Sequence, residues 1–201
     1  SFAANELIVA NGKLTLGEQT NWTGIKDITV KDKGTLVVPW ASGLTAQNLL
    51  LQGGTIELRN GTGNYNQLSA AITVEGSGLI KGSSNGDTTD IQGSFTGVGV
   101  LNFEKIHDNP IKISASMTDG ADGALAVNIG NARITYVNAK TYTGGTTIGA
   151  GGELNINFKM ESGEGALQGD IDVYGTLKLS GGDITGWSST QGVKAINVYD
   201  D

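Results

Sequence analysis

Apolar residues in this chain recur at i, i+2, the period at which side chains alternate across a β-strand. One series of pairs runs Leu7/Val9, Ile28/Val30, Leu49/Leu51, Ile72/Val74, Val127/Ile129, Thr146/Ile148, Ile171/Val173 and Ile196/Val198. A second pair follows most of these a few residues later: Leu14/Leu16, Leu36/Val38, Ile56/Leu58, Leu101/Phe103, Ile134/Tyr136, Leu154/Ile156 and Leu177/Leu179. The pattern weakens near Gly78, where Leu79 stands nearly alone, and near Phe95. No window carries a sustained helical stripe. Ala46–Leu51, the best helical candidate, is short and runs into Gly53-Gly54.

Glycine sits between the two pairs almost every time. Aligning Gly12, Gly34, Gly54, Gly78, Gly99, Gly130, Gly152 and Gly175 gives steps of 22, 20, 24, 21, 31, 22 and 23 residues. A period near 20 residues that carries two strands and a tight turn is too short for a propeller blade and lacks the leucine-rich signature. It fits one coil of an all-β, single-stranded parallel β-helix, a solenoid of about eight coils. Each coil contributes about four inward side chains, too few to fold alone. Stacking at about 4.8 Å per coil joins them into one column roughly 40 Å tall.

The rhythm runs from end to end, so residues 1–201 read as one domain, a segment of something longer. The exception is the 31-residue step. Phe103–Gly123 holds the single histidine, His107, with Pro110 and an additional Ile111/Ile113/Ala115 series. A projecting loop near 104–123 is expected there, the kind of insertion that repeat proteins tolerate and sometimes use for binding.

Composition agrees with a glycine-punctuated solenoid. Of 201 residues 32 are glycine and 2 proline, which excludes collagen and a disordered Pro/Gly linker. The absence of cysteine removes disulfides, thiolate zinc sites and thiol nucleophiles together. A net charge of −7 with scattered Lys and Arg argues against nucleic acid and anionic lipid as partners. No apolar run is long enough for a membrane-spanning helix, so direct membrane insertion by this segment is not expected.

Two stretches carry a resemblance. "TYTGGTTIGAGGEL" and "GALQGDIDVYGTLKLSGG" resemble the autotransporter-associated β-strand repeat of bacterial surface-protein passenger regions. The first part of that pattern matches Tyr142, Thr143, Gly144, Gly145, Thr146, Thr147, Ile148, Gly152 and Leu154; the second matches Ala166, Leu167, Val173, Gly175, Thr176, Leu177 and Leu179. The strict match covers Thr141 to Gly182, and the remainder shares only the looser alternation. The resemblance implies a right-handed β-helix in a secreted or cell-surface bacterial protein. Its implied roles are stalk formation, aggregation, or adhesion to host or bacterial surface glycans and proteins.

Parallel β-helices also carry lyases and glycosidases, so a carbohydrate-active enzyme and a glycan-binding module are the alternatives. Glycoside hydrolysis needs two carboxylates facing each other at about 5 to 10 Å. The candidates are Asp170/Asp172, Glu57 with Asp32, Glu104, and Asp87/Asp90. Asp170 and Asp172 flank Ile171, which places both on the solvent side of one strand. Arginine occurs at Arg59 and Arg133, several coils apart, with no acid cluster near both. His107 beside Asp108 lacks the nucleophile elbow of a serine triad. No catalytic residue is therefore expected.

Calcium takes oxygen ligands of the kind offered by Ser84–Asp90 and Met117–Ala124, with Asp119 and Asp122 the better pair. Neither has the spacing of an EF-hand loop, and plain Asp/Gly turns are the favoured reading of both stretches, so no resident cofactor is expected. Trp22, Trp40 and Trp187 fall in loops after second strands and are the candidate glycan contacts. The favoured reading is structural: they cap the ends of the apolar column or fill the bases of loops.

Overall fold

The computed structural model describes residues 6–17, 25–39, 44–59, 67–83, 89–157, 167–180 and 193–199. The strands among them are β1 (Glu6–Val9), β2 (Gly12–Thr15), β3 (Asp27–Lys31), β4 (Gly34–Pro39), β5 (Thr45–Gln52), β6 (Thr55–Arg59), β7 (Gln67–Ser83), β8 (Thr89–Lys105) and β9 (Ile111–Ile113). They continue with β10 (Ser116–Asp119), β11 (Leu125–Ile129), β12 (Arg133–Tyr136), β13 (Thr146–Ile148), β14 (Glu153–Ile156), β15 (Gly169–Val173), β16 (Thr176–Leu179) and β17 (Val193–Val198). The pairings between these strands are all parallel, and each joins a strand to the equivalent stretch of the next coil. This is the expected all-β parallel solenoid, with a coil number close to the expected eight.

Register resolves three faces. Leu7, Ile28, Leu49, Ile72, Phe95 and Met117 stack along the first. Leu14, Leu36, Ile56, Ile80, Phe103, Ile129, Ile148, Val173 and Val198 stack along the second. Leu68, Ile91, Ile113, Tyr136, Ile156 and Leu179 stack along the third. The inward members between the two ends are buried and form one continuous core.

The faces correct the repeat alignment. Val127/Ile129, Thr146/Ile148 and Ile171/Val173 do not continue the column of Leu7/Val9 and Ile28/Val30. They sit on Leu101/Phe103 and so continue the second pairs of the early coils. The early coils place their strands on the first and second faces, the late coils on the second and third. Both arrangements show two apolar pairs and a glycine per coil, so linear spacing does not separate them.

The 31-residue step is where the strands change faces. Of the segment 104–123 expected to project, Ile111–Ile113 pairs with Thr89–Ile91, and Ser116–Asp119 pairs with Ser94–Gly97. Both are wall strands, with Ile111, Ile113, Ala115 and Met117 buried. The turns at 106–110 and 120–124 lie outside strands, as do Ser114 and Ala115 between the two wall strands. The glycine alignment changes in the same place. Gly12, Gly34, Gly54 and Gly78 mark one corner, and Gly152 with Gly175 marks the next corner round.

Two details explain the weak stretches. On the second face of β7 the inward residue is Ile80, flanked by Gly78 and Gly82, whereas Leu79 is half-buried on the outer side. An added Cβ at Gly78 would meet Leu51 at 2.9 Å, and one at Gly82 would meet Ile111 at 3.1 Å, so the large neighbours fill the space and the pair reads as one residue. In β8 the chain turns at Gly99 with φ of 116°, where a Cβ would lie 2.0 Å from the Gly76 carbonyl oxygen.

Candidate interaction surface

Outward side chains on a solenoid lie in ladders, because each stacks near its equivalent one coil away. Here the ladders carry ion pairs and hydrogen bonds between coils. Glu57, 8% exposed on the second face, accepts from Lys13 at 2.7 Å and also pairs with Arg59. Burial pushes its carboxyl up, but the two cations outweigh burial and hold it below the ordinary carboxylate range. Glu104 pairs with Lys81 at 2.7 Å. Glu153 bridges Lys178 at 2.8 Å and Arg133 at 3.6 Å; the Lys178 hydrogen bond is the main reason its pKa falls.

The candidate acids are therefore distributed among cations and amides. Asp90 is buried, which raises its pKa, yet hydrogen bonds from Gln92, Ser114 and Lys112 bring it below the usual value. Asp32 lies in the turn between β3 and β4, and Glu57 is held by its two cations within the wall. Asp170 and Asp172 flank the buried Ile171 on the outer side, as their spacing predicts. Asp172 Oδ1 accepts from Asn197 Nδ2 at 2.8 Å and from Tyr199 Oη at 3.4 Å. Asp87, Trp22, Trp40 and Trp187 lie outside the described residues, as does most of the Ser84–Asp90 stretch.

Asp119 has a role in the wall. Its Oδ1 accepts from the backbone N–H groups of Leu125 at 2.8 Å and Thr143 at 2.9 Å, and Oδ2 accepts from Thr143 Oγ1 at 2.7 Å. Burial raises its pKa, and these bonds lower it further than burial raises it. The carboxylate thus ties one coil to the next. Asp122 is exposed in the neighbouring turn. Among the described residues no three His, Cys, Asp or Glu side chains cluster as a metal site.

An open groove of about 670 Å³ runs along the outer side of the first face, lined by Glu6, Asp27, Thr29, Asn48, Leu50, Thr73 and Glu75 among others. Asn48 donates to Asp27 at 3.0 Å, and Gln52 donates to Glu75 at 2.7 Å. Carboxylates, an amide and hydroxyls over an aliphatic patch suit hydrogen bonding to a polyhydroxylated partner.

Two features were missed in the sequence. Lys140 is 1% exposed, and its Nζ donates to the carbonyls of Ala115 at 2.8 Å and Ile113 at 3.2 Å and to Asn138 Oδ1. It also lies 5.0 Å from the centroid of the Tyr136 ring. Burial pulls its pKa down to about 7. Beside it Tyr142 bonds Thr146 at 2.6 Å and Tyr136 at 3.4 Å, forming a buried hydroxyl chain. The linear pattern does not mark Lys140, because Asn138, between Tyr136 and Lys140 at the same step, is exposed and breaks the inward alternation. The other feature is an exposed aromatic pair. Tyr174 and Tyr199 stack with centroids 4.4 Å apart and planes 8° from parallel.

The parallel β-solenoid defines the structural class. A scan against family models and searches of curated proteins and solved structures found no match to this chain.

Proposed function

We propose that this chain is a structural and adhesive segment of a secreted or cell-surface bacterial protein, with no catalysis of its own. The observation that carries this reading is the use of the outer polar side chains: pairs such as Lys13–Glu57, Lys81–Glu104 and Lys178–Glu153 bind one coil to another. A wall so used holds a rod in shape, the property a stalk needs. The resemblance of Thr141–Gly182 to passenger repeats supports the same assignment, with surface glycans or proteins as partners.

The test displays the full protein on bacterial cells and measures attachment to host-cell and bacterial-cell layers, with the solenoid deleted as the comparison. Attachment should fall at least about tenfold on deletion. Unchanged attachment, or a purified chain that degrades neutral or acidic polysaccharides, would overturn the proposal.

A glycan-binding module is the second reading. The groove on the first face favours it, since its Glu6, Asp27, Asn48 and Thr73 lining is matched to sugar hydroxyls.

A further inference from the structure

We propose that the corner carrying Tyr174 and Tyr199 binds a neutral pyranose sugar, which stacks on the aromatic pair and hydrogen-bonds to Asp172 and Asn197. The inference deepens the adhesive reading above and rests on it for the biological setting.

Four observations converge. Tyr174 and Tyr199 remain 42% and 44% exposed, although a tyrosine is a large, partly apolar side chain. Their parallel stack holds both rings in one orientation, so little ordering is needed when a ligand packs against them. The residues at the same corner in the two preceding coils are Gly149 and Gly130, because Tyr174, Gly149 and Gly130 each follow the stacked Val173, Ile148 and Ile129. Neither glycine has a side chain to cover the ring from below. Among the described residues the corner therefore has an aromatic shelf above a step formed by Gly149 and Gly130.

The fourth observation is polar. Asp172 Oδ1 gathers Asn197 Nδ2 at 2.8 Å and Tyr199 Oη at 3.4 Å beside the shelf. A pyranose presents C–H groups on one face and hydroxyls around its rim. The C–H face packs on an aromatic ring, and a carboxylate with an amide meets the rim hydroxyls as acceptor and donor. The Asp172 charge and the net charge of −7 disfavour a uronic or sialic acid, so the ligand class is neutral.

The experiment uses the full chain with ¹³C-labelled tyrosine and titrates it separately with cellohexaose, chitohexaose, mannohexaose and an oligogalacturonide. The ring signals of Tyr174 and Tyr199 should shift saturably with at least one neutral hexasaccharide and not with the oligogalacturonide. Tyr174→Ala should weaken that binding at least about tenfold, and Tyr174→Phe should stay within about threefold, since the stacking face is kept. Absence of any shift with the three neutral sugars would overturn the site, as would equal binding of the oligogalacturonide. So would wild-type affinity in Tyr174→Ala, which would leave the pair a purely structural ladder. Cells that attach through the full protein while these signals stay still would sink this site alone. Shifts without attachment would sink the adhesive function alone.

Discussion

The early coils and the coils around Tyr136 are both built by parallel pairing of coil on coil and differ in what fills the interior. Among the described residues between Leu7 and Ile80 the inward side chains are aliphatic, with Leu36, Leu49, Leu51, Ile56 and Val74 each at 1% exposure or less. Between Ile113 and Thr146 the interior also holds Lys140, Tyr136, Tyr142 and Thr146, all buried: hydrogen bonds link the two tyrosines and Thr146, and Lys140 donates to the carbonyls of Ile113 and Ala115. In both regions parallel pairing satisfies the backbone, so the core is free to be oily or polar. The polar version needs every donor and acceptor matched, because an unpaired buried group costs about 1–3 kcal/mol.

The largest effect should come from the corner geometry that both regions need. Gly99→Ala adds a methyl 2.0 Å from the Gly76 carbonyl oxygen at a φ of 116°. A loss of at least about 3 kcal/mol is expected in urea unfolding. A loss below about 1 kcal/mol would show that the corner yields easily.

Next comes the aliphatic half. Leu51→Ala opens a cavity in a fully buried column and should lower stability by about 2–5 kcal/mol, with no dependence on pH between 6 and 10. Amide exchange in β3 and β5 would report it locally. A pH-dependent loss there would erase the proposed contrast.

Lys140→Met keeps the volume and removes the charge but strands the carbonyls of Ile113 and Ala115, so a net loss of about 1–3 kcal/mol is expected. Its diagnostic is pH. Lys140 has a folded pKa of about 7, below the ordinary 10.5. Between these values the unfolded chain binds the extra proton, so wild-type stability should rise with pH across that window. Above pH 10 the sign reverses, because Tyr142 is raised to about 12 and keeps its proton only when folded. Lys140→Met should remove the rise and keep the later fall. A wild-type profile flat from 7 to 10 would show that the three acceptors around the ammonium cancel the pull of burial.

The smallest effect belongs to the outer ladders. Lys178→Ala breaks a half-exposed pair with Glu153, and Arg133 remains beside that carboxylate. The loss should be under about 1 kcal/mol and vanish in high salt, as thermal melts at two ionic strengths would show.

Much of this was legible along the chain. Inward pairs such as Ile28/Val30 and Leu154/Ile156 were read correctly, because a β-strand alternates at a period of two wherever it lies. The outer placement of Asp170 and Asp172 followed from the buried Ile171 between them. The candidate surface was less legible. Tyr174 and Tyr199 are 25 residues apart and become neighbours only through the pairing of β15 with β17. Lys140 looked like a surface cation because a single charge in a polar run carries no mark of the carbonyls that will surround it.

Local alternation and glycine spacing, which act within one coil, by themselves determined that this protein is a parallel β-solenoid of short coils with a shared apolar interior. Tertiary structure alone decided which face each strand occupies, where 104–123 turns from expected loop into wall, and which side chains meet between coils. The reason is that a coil closes on itself: a shift of one face leaves the linear rhythm almost unchanged, and only hydrogen bonding to the coils above and below selects the register.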